Sequence, residues 1–274
     1  MKNILIRALT GIVYVALVTG GILIGPYTFL CLFSMVIILC LWEFYGLLND
    51  RKKTRINRIE GCLGGLVLFV SVYLYAARIF DHSVFIPYIF YVLVAMIIEL
   101  YRKKEDPITD LAFLFLGQLY IALPFALLNF PAFQAGGEIA YRPLLILSLF
   151  VFLWINDSGA YLIGSKFGKH RLFKRISPKK SWEGFWGGFV CALLPAFLFA
   201  RLDPEIPLLH WIGICVFVVL FGTLGDLFES LIKRTLDVKD SGNALPGHGG
   251  FLDRFDSAIF AAYGILLYVE LAGS

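Results

Sequence analysis

The chain has 274 residues, of which 59% are hydrophobic and 16% charged, with a mean hydropathy of +0.80. A soluble domain is about half apolar and about a quarter charged, so this composition excludes an ordinary soluble enzyme and indicates a protein of the membrane. The net charge of +4 belongs to a few basic loops, which mark cytoplasmic faces and exclude a nucleic-acid-binding surface.

Taken in chain order, nine apolar stretches are long enough to cross about 30 Å of hydrocarbon: 4–24, 27–48, 61–80, 84–100, 111–130, 143–164, 184–200, 208–226 and 255–271. Alternating strands of the barrel kind are absent, so the predicted fold is an all-α polytopic membrane protein of about nine transmembrane helices. The first stretch lacks a small-x-small cleavage site and runs through "GPY" into the second, so it reads as an uncleaved helix. With the N-terminus in the cytoplasm, all of the 24 Lys and Arg except Arg78, Arg142 and Arg201 fall on the inside. The positive-inside rule therefore predicts a cytoplasmic N-terminus and a C-terminus outside.

The five cysteines sit within spans and form no C-x-x-C pair, so they read as apolar packing residues and not as a disulfide or zinc framework. The first five spans, 1–131, carry little polar matter beyond Glu43, Glu99 and Gln118. Glu99 has Arg102 and Lys103 beside it and predicts an interfacial salt bridge. Glu43 lies deeper, where an acid is a functional candidate by default; with no polar neighbour in sequence, it reads first as a group that binds helices together.

From 132 to 274 the character changes. Polar residues gather in "WINDSGAYLIGSKFGK" with "ISPKKSWEG", in "GDLFESLIKRTLDVKDSGN" and in "LPGHGGFLDRFDS". The charge argument places all three on one side of the membrane, so 132–274 reads as a catalytic region of four spans with cytoplasmic active-site loops. Asp226 ends the eighth span, while Asp253 and Asp256 open the ninth one helical turn apart, on a shared face. Carboxylates without nearby Cys, and with His248 as the one neighbouring His, make a hard oxygen site suited to Mg²⁺. Gly247, Gly249 and Gly250 let backbone N–H groups approach an anion. Lys233, Arg234, Lys239 and the basic loop "KHRLFKRISPKK" add positive charge. Together these are the components of phosphoryl or nucleotidyl transfer.

Competing readings apply to some of these residues. The basic loop is also what any cytoplasmic loop attracts. Gly184, Gly187 and Gly188 read as close helix packing, and His82 and His210, near outside loops, as incidental. "GAYLIGSK" is rejected as a phosphate loop, since Ser165 interrupts the Gly-Lys pair and no strand precedes it.

With these residues in hand, the chain resembles the phosphatidate cytidylyltransferase (CDP-diacylglycerol synthase) family. The family signature runs S-x-apolar-K-R, four residues, K-D, a glycine-bearing segment ending P-x-H-G-G, then D-R-apolar-D. Ser230, Lys233, Arg234, Lys239, Asp240, Gly242, Pro246, His248, Gly249, Gly250, Asp253, Arg254 and Asp256 fill every fixed place. "NDSGAY", "FGKH" and "ISPKKSWEG" extend the likeness over about 154–257, while the first five spans resemble the family only in hydrophobicity and placement.

The resemblance implies that CTP and phosphatidic acid, held in the membrane, give CDP-diacylglycerol and pyrophosphate, by a homodimer with a Mg²⁺-dependent paired-cation centre whose second cation is of the K⁺ kind. It implies Asp226 and Asp253 as metal ligands. Asp226, Lys233, Asp253 and Asp256 are then expected to carry the chemistry. Ser230, Arg234, Lys239, Arg254, Gly249 and Gly250 are expected at substrate, as are Lys174, Ser177, Lys179, Lys180 and Glu183. His248 either orients the glycine turn or donates to phosphate. Two rival readings are a CTP-dependent polyisoprenol kinase, which would release CDP, and an ion transporter, which would need polar residues reaching the midplane and both faces. The expected location is an integral membrane, the inner or plasma membrane of a bacterium, with the active site facing the cytoplasm.

Overall fold

The computed structural model describes residues 2–103, 105–133, 140–242 and 249–273, with side chains from residue 9 to residue 272. Lys104, Pro246, Gly247, His248 and the side chains of Lys2 and Arg7 therefore lie outside the described residues. Among those described, eight helices are long and apolar enough to cross a membrane, and a shorter apolar helix covers Leu9–Leu23. The chain is thus an all-α polytopic membrane protein, and each predicted span coincides with one of these helices. It packs as two compact units, Met1–Tyr141 with Leu236–Phe255, and Arg142–Thr235 with Asp256–Ser274.

The first unit contains α1 (Lys2–Leu23), α2 (Pro26–Lys52), α3 (Arg58–Ala76), a 3₁₀ turn (His82–Phe85) leading into α4 (Ile86–Tyr101), and α5 (Pro107–Gly117). A π turn (Gln118–Ala122) and two short helices, α6 (Leu123–Leu127) and α7 (Asn129–Ala132), follow. Local chemistry sets the helix starts. Pro26 and Pro107 occupy first turns, where their missing N–H costs nothing. Asn57 and Asp106 cap α3 and α5 by accepting N–H groups one turn on. The core is a cluster of fully buried Phe29, Phe33, Phe69 and Phe125, with ring centroids 4.8 to 6.3 Å apart. Tyr45 packs against Gly61 and Gly117, where any side chain would collide with its ring. Its hydroxyl donates to Leu114 C=O at 2.8 Å and accepts from Gln118 Nε2 at 3.0 Å. Gln118, one of the few polar residues of the early spans, therefore serves packing. Arg102 pairs with Glu99 at 2.9 Å and with Glu60 at 3.0 Å.

The second unit contains α8 (Pro143–Phe167), a hairpin of β1 (Arg171–Phe173) and β2 (Ser177–Ser181), α9 (Trp182–Ala192), α10 (Leu194–Leu202) and α11 (Leu208–Thr235). It also holds α12 (Leu252–Gly273) from Asp256 onward. Helices α8 and α9 run antiparallel with backbones nearly touching. A Cβ on Gly188 would lie 2.5 Å from Asn156 C=O, and one on Gly184 would lie 3.2 Å from Gly164 Cα. Small residues permit such approach in a membrane, where packing and not hydrophobic transfer draws helices together. Gly184, Gly187 and Gly188 are packing residues. Helix α11 meets α12 in the same way, a Cβ on Gly225 falling 2.6 Å from Asp256 C=O. Phe199 stacks on the fully buried Trp211 at 5.1 Å.

Candidate active site

The basic loop after α8, which hydropathy left without structure, is the antiparallel hairpin β1–β2, pairing Arg171 with Ser181 and Phe173 with Ser177. Two residues of the α9 N-terminus fasten its base. Glu183 accepts the N–H groups of Lys169 and His170 at 3.1 and 3.2 Å and meets His170 Nδ1 at 2.6 Å. Ser181 caps α9 by accepting Gly184 N–H at 3.1 Å. The Arg171 guanidinium reaches across the strands to Lys179 C=O at 3.3 Å.

Beneath the hairpin, within the second unit, lies a cavity of about 540 Å³. Helix α8 lines it with Asn156, Asp157 and Tyr161, the hairpin with Arg171, Lys179 and Lys180, and α11 with Thr223 and Asp226. Ser257 of α12 completes the wall. Lys180 and Asp226 form an ion pair. Ser230, one turn beyond Asp226, donates its hydroxyl to Asp226 Oδ1 at 3.4 Å. The charges of Asp226, Asp157 and Lys233 all act on Asp256, so α8, α11 and α12 bring three acids into one electrostatic neighbourhood. Lys233 is held at 2.5 Å from Glu229, a fully buried acid on the same face of α11.

Of the residues expected from sequence, Lys179, Lys180 and Asp226 line this cavity, and Ser230, Lys233 and Asp256 stand beside its acids. Lys174 is exposed at the hairpin turn and Ser177 lies in β2; neither lines the cavity. Glu183 is committed to the hairpin base. Arg234 is exposed in the last turn of α11. Lys239, Asp253 and Arg254 belong to the first unit, where Lys239 and Arg254 are exposed. There Asp253 Oδ2 accepts N–H groups from Ser241 at 3.0 Å and Gly250 at 2.8 Å. Gly249 adopts φ +80°, and a Cβ there would lie 2.7 Å from Asp253 Oδ2; only glycine suits that turn. His248 lies outside the described residues.

Asn156, Tyr161, Arg171 and Ser257 lie within the polar stretches of the sequence but have no individual role assigned from it, and Thr223 stands in an apolar run without a local signal. Glu43, expected from sequence to bind helices together, bonds to Ser241 and to Leu252, the first residue of α12. As to a metal, no three His, Cys, Asp or Glu side chains among the described residues converge as ligands. The acids present offer hard oxygens, and Mg²⁺ binds through one or two carboxylates with waters and substrate phosphates. The donor set therefore fits Mg²⁺ and not a soft transition metal.

The cavity of this polytopic helical membrane protein joins a cationic hairpin to the carboxylates of Asp157, within α8, and Asp226, within α11, groups of the kind that hold phosphates and a hard cation. The chain belongs to the cytidylyltransferase family, which it matches over residues 5–272. It is 34% identical to a Bacillus subtilis protein named phosphatidate cytidylyltransferase, over 93% of each chain. A Staphylococcus haemolyticus protein of that name is 31% identical over 93% of this chain and 95% of its own. A Staphylococcus saprophyticus one is 41% identical over 58% of each.

Proposed function

We propose that this protein is a membrane nucleotidyltransferase of phospholipid biosynthesis that converts CTP and phosphatidic acid into CDP-diacylglycerol and pyrophosphate. Family membership and the names of its relatives support the reading. The observation that carries it in this chain is the cavity where Arg171, Lys179 and Lys180 gather with Asp157 and Asp226. A phosphate oxygen of the lipid attacks the α-phosphorus of CTP. The bond from that phosphorus to the oxygen bridging the β-phosphate breaks, and pyrophosphate leaves with the electron pair. Because the lipid nucleophile is already an anion, no strong general base is needed, and positioning with charge stabilisation supplies most of the rate.

The hairpin cations hold phosphate oxygens. Lys180 exchanges its Asp226 partner for substrate, and Lys233, steered by Glu229, offsets the negative charge around Asp256. Lys174, Ser177, Arg234, Lys239 and Arg254 are secondary phosphate contacts, with Gly249 and Gly250 shaping the backbone near Asp253. Asp226 and Asp253, each within its own unit, are the carboxylates we assign to Mg²⁺, with Ser230 and Asp256 in support. When bound, the cation neutralises charge gathering on the phosphates.

We further infer that the cavity faces the cytoplasm, in keeping with the basic loops and with a water-soluble nucleotide, and that the protein works as a homodimer, which light scattering of the detergent-solubilised protein checks. The reaction is tested by supplying purified protein with CTP and phosphatidic acid, with and without Mg²⁺. CDP-diacylglycerol and pyrophosphate are the expected products. Release of CDP with a phosphorylated lipid would overturn the reading in favour of a kinase.

A further inference from the structure

Glu43 lies well inside α2, a helix long and apolar enough to cross a membrane, where an ionisable group is costly unless it has partners and a task. Its partners belong to the segment that carries the family signature. Glu43 Oε2 accepts the Leu252 N–H at 2.9 Å and the Ser241 hydroxyl at 3.3 Å. Leu252 is the first residue of α12, so its N–H is one of the donors that a helix start leaves without an intrahelical acceptor. The carboxylate thus caps α12 from another helix, at the end where the helix dipole favours negative charge.

Ser241 precedes Leu252 within the same segment, so one carboxylate ties the two positions together. Asp253 ties them again through the N–H groups of Ser241 and Gly250. Glycines make room for this arrangement. A Cβ on Gly250 would lie 2.4 Å from Glu43 Oε2 and 2.2 Å from Ser241 Oγ, and one on Gly242 would lie 2.9 Å from Glu43 Oε1. The acid on α2 and two glycines more than 190 positions later are therefore parts of one fitting, joining residues separated by 198 and 209 positions.

We infer that Glu43 is a positioning residue for the reaction. It touches no substrate; it holds the start of α12 and the chain around Ser241, and through them the orientation of Asp253. Its charge matters as well as its shape, because two donors converge on one oxygen and hydrogen bonds to a charged acceptor are about twice as strong as neutral ones. The kinetic part of the inference rests on the cytidylyl-transfer reading; the structural part does not.

The test compares wild type, Glu43→Gln, Glu43→Asp and Ser241→Ala in lipid nanodiscs by CDP-diacylglycerol formation and by backbone hydrogen exchange. In Glu43→Gln, kcat is expected to fall about 10- to 100-fold, the range for groups that orient metal-holding residues. The half-saturating Mg²⁺ concentration rises, while KM for CTP stays within about twofold, since uniform substrate binding is not what is lost. Amides of 249–256 exchange faster and those of 171–181 keep wild-type protection. Glu43→Asp recovers part of kcat. Ser241→Ala, which loses only the hydroxyl contact, shows a smaller change in the same peptide, and its effect is not additive with that of Glu43→Gln.

Wild-type exchange across 249–256 in Glu43→Gln overturns the inference whatever the activity. Faster exchange with unchanged kcat and Mg²⁺ dependence overturns the positioning role. If Glu43→Gln fails to insert, Ser241→Ala decides, and unchanged exchange there overturns the inference. A wild-type protein that forms no CDP-diacylglycerol sinks the cytidylyl-transfer reading, and the exchange result still settles whether Glu43 holds the start of α12.

Discussion

At the scale of the residue, the acids differ by what surrounds them. Asp226 is shared between Lys180 and Ser230. Asp253 spends one oxygen on two backbone N–H groups. Asp→Asn keeps shape and an acceptor oxygen at each site while removing the charge, so folding is expected to survive. CDP-diacylglycerol formation by Asp226→Asn or Asp253→Asn should fall on the order of 10²-fold or more, comparable to losing a group that stabilises transition-state charge. A Mg²⁺ titration of purified variants checks this, and wild-type activity with wild-type Mg²⁺ dependence in both would exclude the assignment. Asp106→Asn is the matched control. Asp106 is exposed and caps α5, and Asn caps about as well. Bonds from Thr109, its hydroxyl first and then its N–H, hold the Asp106 carboxyl below its ordinary 3.8. A depressed value means that the cap is fully present above pH 3.8 and fades as pH falls through the lowered value. The Asn variant should lose that acid sensitivity and keep neutral-pH activity. Asp110 would be a poor control, since it is buried and accepts the Arg55 N–H at 3.0 Å.

At the scale of the element, the hairpin and the α8–α9 pair supply the cavity's form. Losing a charge-assisted contact costs about 1.5–3 kcal/mol, or roughly tenfold or more in affinity. Lys179→Ala should raise KM for CTP or phosphatidic acid by about that factor. Lys180→Ala should do more, because it also strips Asp226 of its ion partner. Unchanged KM for both substrates in both variants would reduce the hairpin to a surface loop. The helix pair yields a separate prediction. Gly188→Ala places a methyl 2.5 Å from the backbone oxygen of Asn156, which no side-chain rotation relieves. Overpacking of this kind costs about 1–3 kcal/mol, and it displaces Asn156 and Asp157 at the cavity wall. Thermal unfolding in detergent should fall together with activity; a variant as stable and active as wild type would contradict the close contact.

At the scale of the whole molecule, the eight spanning-length helices and one further apolar helix among the described residues, with the distribution of Lys and Arg, argue for termini on opposite sides of the membrane. Alkaline phosphatase and fluorescent reporters fused after residue 274 should read as outside the cytoplasm, and reporters in the 166–180 loop as inside. A cytoplasmic C-terminus would mean that one apolar helix does not cross.

The spans, the family signature and the acids were legible in the sequence because each depends on local order. Hydropathy is a property of consecutive residues, and the spacing of Lys233, Arg234, Asp253 and Asp256 needs no fold to be read. Tertiary structure decided how those residues are used. "RLFKRISPKKS" has no alternation that announces a strand, and it becomes a hairpin because Glu183 and Ser181 fasten its base to α9. Gln118 and Glu43 look alike in sequence, each a polar residue alone in an apolar span. One closes on Tyr45 and Gly61, and the other caps a helix more than 200 positions away. Nothing near either residue encodes that difference. It arises from which helix faces meet, and that is set by glycines and aromatic rings whose complementary shapes exist only once the chain has packed.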